Sequence, residues 1–331
     1  MVTAGQQHTD LPLDESPEIL IRAEGLTIKF GQELAVQDVS FEISRGKIFG
    51  FIGPSGSGKT TTVRLLTGFY RPTAGQVTVL GRAPKEFGRE TRGKIGYMPQ
   101  QFALYPELTV WENLNFAASI YGMAFARRKR LKELLEFVEL GNHKRKLARN
   151  LSGGMKRRLS LAATLIHDPE LVFLDEPTAG IDPVLRRRMW DHFKVLQKLG
   201  RTLFVTTQYV GEAAYCDYVG VMAKGRLLMV ETPEGLRRRA FGGEVVDLYT
   251  KERLLHKDLS RLRSLPFVQG QVTRLNREQG IRLVVDDAST AIPALLDWCR
   301  QEYVTVDSIE EYLPPFDDVF VELVRELAPN D

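Results

Sequence analysis

The sequence predicts an α/β protein. A mostly parallel sheet, covered on both faces, is interrupted by a helical insertion and followed by a small α+β unit. Three observations carry this reading. Buried strands alternate with helical segments, as in "GKIFGFIG" followed by "KTTTVRLLTGFY", and such alternation builds parallel sheets with helices on their faces. From about residue 108 the apolar spacing becomes helical over a long stretch. Near "RRRAFGGE" the character shifts again, to short strands and helices.

In chain order, residues 1–19 are polar and acidic. They lack the basic start and apolar run of a signal peptide and read as a flexible tail. "ILIRAEGLTIKF" and "LAVQDVSFEI" read as strands, and "GKIFGFIG" as a buried strand bounded by glycines. A helix follows, then the short strands "GQVTVLG" and "KIGYMPQ". The insertion contains "LTVWENLNFAASIYGM", "RRKRLKELLEFVEL" and "GGMKRRLSLAATLIHD", all at helical spacing. Strands return in "ELVFLDEP" and "TLFVTTQ", separated by the helical "PVLRRRMWDHFKVLQKLG". A first domain thus spans 20–238, with its helical subdomain at about 101–165, and a second spans 242–331. The second holds "GEVVDLYT", "QGIRLVVDD", the helical "AIPALLDWCRQEY", the strand-like "VTVDSIE" and a closing helix "FDDVFVELVREL".

Composition bounds the function. The 331 residues exceed one ordinary domain, for which roughly 100–200 residues is the usual range. With 43% hydrophobic and 26% charged residues and a net charge of +3, the chain reads as globular and too weakly basic for nucleic acid. The arginine-dense "ARRKRLKELL" and "VLRRRMW" read as solvated helix faces, the alternative being a specific anionic partner. Two distant cysteines, Cys216 and Cys299, imply neither a metal site nor a disulfide framework and fit a reducing cytosol. No apolar run approaches the ~18–20 residues that cross a bilayer, so a membrane role would run through a partner.

Chemistry concentrates in two motifs. "GPSGSGKT" comprises Gly53, Pro54, Ser55, Gly56, Ser57, Gly58, Lys59 and Thr60, and lies between a strand and a helix. This is the full phosphate-loop pattern, with Thr61 following it. The glycines let successive N–H groups converge on phosphate oxygens at a helix N-terminus. Lys59 supplies a charge to the β- and γ-phosphates, and the Thr60 hydroxyl is placed for Mg²⁺. The alternative is a plain glycine-rich turn. "LVFLDEP" brings Asp175 to the C-terminal end of a buried strand, where open α/β sheets bind ligands. Asp175 would hold Mg²⁺ through water, and Glu176 could polarise an attacking water. Together the motifs imply nucleoside triphosphate hydrolysis.

Between them lies "LSGGM", Leu151–Met155, whose serine and glycines at a helix start could form a second anion nest or a simple helix cap. With that motif just ahead of the Asp175–Glu176 strand, the chain over about 20–238 resembles the nucleotide-binding subunit of an ABC transporter. The resemblance implies a P-loop NTPase of the ABC type with ATP and Mg²⁺ as ligands. It places Phe30 on the adenine, the alternative being a core phenylalanine. It places Gln100 on Mg²⁺ and the attacking water. It assigns Ser152, Gly153 and Gly154 to the γ-phosphate bound by a second subunit, and Asp182 to the dimer-interface loop or to capping the next helix. Met155 stands where glutamine is more frequent, and "LSGGMKRR" looks like an exporter branch that pairs with separate membrane subunits. Implied partners are a second ATP-binding subunit, identical or not, and an integral membrane permease gripped in a groove near "FALYPELTVWENL". The implied location is the cytoplasmic face of the membrane. A non-transport ABC ATPase is the rival; its long coiled coils, zinc inserts or paired cassettes are missing from this sequence.

One position departs from the family. Gln208, in "FVTTQYVGEAA", stands where a switch histidine is usual. Glutamine can donate and accept hydrogen bonds but cannot become a cation. Three readings follow: Gln208 substitutes in hydrolysis, or the site binds ATP and scarcely hydrolyses it, or Gln208 is a loop residue without phosphate contact.

Overall fold

The computed structural model describes residues 18–101, 103–123, 127–275 and 280–327. The expected tail, apart from its last two residues, lies outside them, as does Phe102. The chain opens with β1 (Ile19–Phe30), β2 (Glu33–Ser44), β3 (Ile48–Ile52), α1 (Lys59–Leu66), β4 (Ala74–Val79), α2 (Arg89–Gly93) and β5 (Ile95–Met98). The helical insertion supplies α3 (Val110–Ile120), α4 (Arg127–Phe137) and α5 (Gly153–Thr164). Next come β6 (Leu171–Asp175), α6 (Pro183–Lys198), β7 (Thr202–Thr207), a 3₁₀ turn (Val210–Tyr215), β8 (Tyr218–Ala223), β9 (Arg226–Glu231) and α7 (Pro233–Phe241). The remainder is β10 (Glu244–Thr250), α8 (His256–Arg263), β11 (Val268–Arg274), β12 (Gly280–Val285), α9 (Ala288–Gln301), β13 (Val306–Tyr312) and α10 (Phe316–Leu327).

The central sheet has the order β5-β6-β7-β3-β8-β9. Its strands are parallel except β9, which turns back against β8. Parallel pairing sends the C-terminal ends of β3, β5, β6 and β7 to one edge, where Lys59, Thr60, Gln100, Asp175, Glu176 and Gln208 gather. Side chains alternate between two cores, as strand geometry requires. Ile48, Ile52, Val172, Leu174, Leu203 and Val205 face the helical insertion. Phe49, Phe51, Phe173 and Phe204 face the other way, into a second core.

That second core is closed by a separate antiparallel sheet, β2-β1-β4, which the expectation of one mostly parallel sheet did not include. The reason lies in the strands. β3, β6 and β7 are buried throughout, whereas β1 and β2 alternate buried and exposed residues, the pattern of a sheet with one solvated face.

β10 to β13 form a four-stranded antiparallel sheet, β11-β12-β10-β13, packed with α8 and α9 around a third core. The closing helix leaves this unit. Its apolar stripe puts Phe316, Val319 and Leu323 into the first core, against α7 and the 3₁₀ turn. Among the described residues of this stretch, β10–β13, α8 and α9 thus form one core while α10 packs into the first.

Candidate functional site

β3 delivers the phosphate loop. The Gly53 amide donates to the Thr207 carbonyl at 3.3 Å, which ties the loop's root to the end of β7. A Cβ at Gly53 would stand 2.1 Å from the Met222 carbonyl oxygen, so backbone packing excludes any side chain there. Gly56 and Gly58 have φ of 78° and 101°, left-handed conformations that favour glycine. Gly58 then caps α1. Lys59 is buried at 4% exposure. Its Nζ donates to the carbonyls of Gly53 (2.7 Å) and Pro54 (2.9 Å) and lies 3.8 Å from Glu176 Oε1. Burial pulls the Lys59 ammonium below the ordinary lysine range, and the Glu176 and Asp175 carboxylates oppose that shift. Ser57 Oγ is buried with no hydrogen-bond partner. Thr61 follows, partly buried, on α1.

β6 places the two carboxylates. Asp175 is 1% exposed, and its Oδ1 accepts from Thr60 Oγ1 at 3.0 Å and from Thr206 Oγ1 at 2.6 Å. Its Oδ2 is buried without a hydrogen-bond partner. Glu176 is 7% exposed with a left-handed φ of 48°, an uncommon conformation outside glycine. Its amide donates to Thr206 Oγ1 at 3.0 Å, and its Oε2 accepts from Gln100 Nε2 at 3.0 Å. Thr206 thus braces both acids. Sequence reasoning passed over it, because a threonine in a fully buried strand looks like core; its position opposite Asp175 in the β6–β7 register is the only signal.

Arg157 is a second residue the sequence did not single out. Its guanidinium donates to the Gln100 carbonyl oxygen from α5. Burial lowers its pKa, with Glu176 and Asp175 opposing. Lys59 and Arg157 therefore both feel the Glu176 and Asp175 carboxylates at this edge.

The remaining predicted residues lie apart from this cluster or at its rim. Gln208 is exposed, and its Oε1 accepts from Ser55 Oγ at 2.9 Å, so the odd glutamine does touch the phosphate loop. Phe30 is 44% exposed and packs edge-on against Tyr70, 5.1 Å between centroids, which sets aside the core alternative. Ser152 and Asp182 are exposed helix caps: Ser152 Oγ accepts from the Met155 amide at 3.3 Å, and Asp182 Oδ1 from the Leu185 amide at 3.0 Å. Gly153 has open space where a side chain would start, whereas a Cβ at Gly154 would come within 1.9 Å of Leu185 on α6. Among the described residues no hydrogen bond joins Ser152, Gly153, Gly154 or Asp182 to the phosphate loop.

Beside the Gln100 segment runs a groove of about 650 Å³ lined by Arg64, Phe69, Phe87, Arg92, Tyr97 and Tyr121, among others. Phe69 is 73% exposed. The described part of 102–114, where the sequence placed such a groove, instead contributes Thr109, Trp111 and Glu112 to a second groove of about 710 Å³ against Arg128, Lys132 and Arg145.

Comparison with known proteins agrees with this geometry. The family model described as "ABC transporter" matches residues 36–179. The probable multidrug ABC transporter ATP-binding protein YbhF of Escherichia coli (strain K12) is 40% identical over 231 residues, 70% of this chain and 40% of that protein. The chain thus spans well under two thirds of that relative's length. The linearmycin resistance ATP-binding protein LnrL of Bacillus subtilis (strain 168) is 32% identical over 306 residues, 92% of this chain and 98% of LnrL. Among solved structures, the dimeric post-hydrolysis state of the ATP-binding cassette MJ0796 bound to ADP and Pi superposes with a TM-score of 0.59 at 27% identity, covering 64% of this chain and 98% of that one.

Proposed function

This chain belongs to the ABC transporter family of ATP-binding proteins, and from that premise we propose that it binds and hydrolyses ATP to power export through separate membrane subunits. The observation that carries the proposal is the buried Lys59–Asp175–Glu176 cluster at the mouth of the phosphate loop. Lys59 is placed to meet the β- and γ-phosphates. Glu176, steadied by Gln100 and Thr206, is placed to orient and polarise a water for in-line attack. Gln208, already against Ser55, can donate its amide to the γ-phosphate, and Phe30 offers an exposed ring for the adenine.

The residues also suit Mg²⁺. Asp175 Oδ2 is buried and unpartnered beside the Thr60 hydroxyl, and Gln100 lies next to Glu176. A bound Mg²⁺ would neutralise phosphate charge; Thr60, Gln100 and Asp175 would hold it, Asp175 through water.

Ser152, Gly153 and Asp182 face outward, as groups that close on another subunit's nucleotide would, with the buried Gly154 behind them. The MJ0796 cassette is described as a dimer, and a head-to-tail pair, identical or mixed, is the corresponding assembly here. ATP closes the pair and hydrolysis releases it. The aromatic and basic groove beside Gln100 suits a helix of a permease. No helix among the described residues is long and apolar enough to cross a membrane, in keeping with a peripheral position on the cytoplasmic face. The names of YbhF and LnrL fit an exporter. Gln208 favours one second reading, a switch that closes on ATP and hydrolyses it slowly.

Two measurements test this. The full chain should hydrolyse ATP only with Mg²⁺ present; binding without turnover selects the slow switch, and no binding rejects both. Gentle membrane purification should recover a polytopic partner, whereas recovery solely with ribosomes or DNA overturns the transport role.

A further inference from the structure

We infer that Arg186 is a positioning residue that ties the loop ending at Asp182 to Gln208, and so fixes how the switch glutamine meets the phosphate loop. Its effect on turnover rests on the ATPase reading above; the contact itself does not.

A glutamine side chain has several rotors, and holding it in one place costs entropy unless its backbone is fixed. Gln208 is exposed, and Ser55 Oγ is its one side-chain hydrogen-bond partner among the described residues. The order must come from the turn that follows it. Tyr209 donates its amide to Thr207 Oγ1 at 3.0 Å, and the Arg186 guanidinium covers its ring, 3.8 Å from the centroid. Such cation–aromatic contacts strengthen when shielded from water. At the other end of the turn, the Glu212 amide donates to the Tyr209 carbonyl at 3.0 Å. The Glu212 side chain is 2% exposed, and neither of its carboxylate oxygens has a hydrogen-bond partner. The cation that faces it is again Arg186, with Nε 3.5 Å from Oε1. A buried carboxylate deprived of its counter-charge is strongly destabilising. One guanidinium therefore grips both ends of the segment 209–212.

Arg186 itself sits one turn into α6, and its amide donates to the Asp182 carbonyl at 2.9 Å. Asp182 caps that helix and begins the outward-facing rim. A shift of this rim moves the first turn of α6, and with it the guanidinium, Tyr209 and Gln208. The opposite side of the turn has an apolar backing, since Val210 and Ala213 pack with Val319 and Leu323 of α10. That backing leaves Arg186 as the polar grip.

The test uses the full chain with Arg186→Leu, Arg186→Lys and the double variant Arg186→Leu/Glu212→Gln. Amide hydrogen exchange read by mass spectrometry should rise across 208–213 in Arg186→Leu and stay unchanged across 53–60. ATP affinity should hold within about twofold while turnover falls about 10-fold or more, the pattern of a group that positions and does not bind. Arg186→Lys should recover part of both readouts. The double variant removes the stranded carboxylate, so its melting temperature should return toward wild type while exchange and turnover stay altered. Wild-type exchange across 208–213 in Arg186→Leu overturns the inference. So does wild-type turnover in the double variant, because Arg186 would then serve only to neutralise Glu212. Should the wild type itself not hydrolyse ATP, the ATPase reading fails, and the exchange result still decides the grip.

Discussion

The two clusters that we propose as complementary parts of nucleotide sites, the phosphate-loop half and the signature half, are built differently. The phosphate-loop half is largely buried and cross-bonded: Lys59, Thr60, Asp175, Glu176, Gln100 and Thr206 bond to one another and to loop carbonyls, with Asp175 Oδ2 and Ser57 Oγ left as buried atoms without a hydrogen-bond partner. The signature half, Ser152–Gly154 with Asp182, is exposed except for Gly154, and its side chains do nothing more within the chain than cap α5 and α6. The difference teaches where each half finds its partner. A buried ionic cluster persists when its charges are paired. Exposed polar caps keep spare hydrogen-bonding capacity, and among the described residues the Ser152 and Asp182 side chains make only their cap bonds. The two outward helices nonetheless meet there, since Gly154 lies against the Leu185 side chain of α6.

The largest expected effect breaks the buried half. Glu176→Gln keeps the shape and the Gln100 contact but removes the base, so turnover should fall about 100- to 10,000-fold with ATP binding retained. Steady-state turnover against equilibrium nucleotide binding checks this, and loss of binding would mean that Glu176 is structural. Breaking the outward half should be milder and should separate its two roles. Ser152→Ala removes a cap and a donor, so stability should drop by about 1 kcal/mol. Turnover should drop about 10-fold while the isolated chain's ATP affinity stays put, since the lost group serves the other subunit's phosphate. Equal losses in affinity and turnover would erase the distinction between the halves.

Gln208 sits on the seam and sharpens the comparison. Gln208→His restores a group that can carry a proton, and turnover should rise about fivefold, the worth of roughly 1 kcal/mol in one hydrogen bond. Unchanged turnover would show that the glutamine is no handicap. The smallest effect concerns Asp182. Asp182→Asn should preserve the cap and leave stability within a few tenths of a kcal/mol, whereas Asp182→Ala should cost about 1 kcal/mol. Chemical denaturation of both variants decides whether the carboxylate's charge matters inside the chain.

How legible each half was follows from the physics that made it. The phosphate loop and the Asp175–Glu176 pair could be read directly, because phosphate binding demands glycines, one lysine and a hydroxyl at fixed spacing. Residues that brace the site could not. Thr206 hides in a fully buried strand, Arg186 sits in "VLRRRMW", which reads as a solvated face, and Arg157 sits in "LSGGMKRR", where the reading went to the serine and glycines. Their roles come from the packing of α5 and α6 against the sheet edge, which no local pattern encodes. The antiparallel sheet was only partly legible: β1 and β2 read as strands, but neither their solvated face nor their separate layer was read from the sequence. For α10, the stripe at Phe316, Val319 and Leu323 promised burial and said nothing of its destination.

That destination has a thermodynamic consequence. The polypeptide leaves the nucleotide domain through α7 and returns through α10, and the two helices pack side by side, with Arg237 over the Phe316 ring at 4.0 Å. The strands and helices between them form a closed bight whose neck belongs to the larger body's hydrophobic interior. Melting of the last helix would open the wall beneath Ile52 and Val221, immediately behind the phosphate loop. Helix α10 therefore ties the stability of the small unit's exit to the interior behind the phosphate loop.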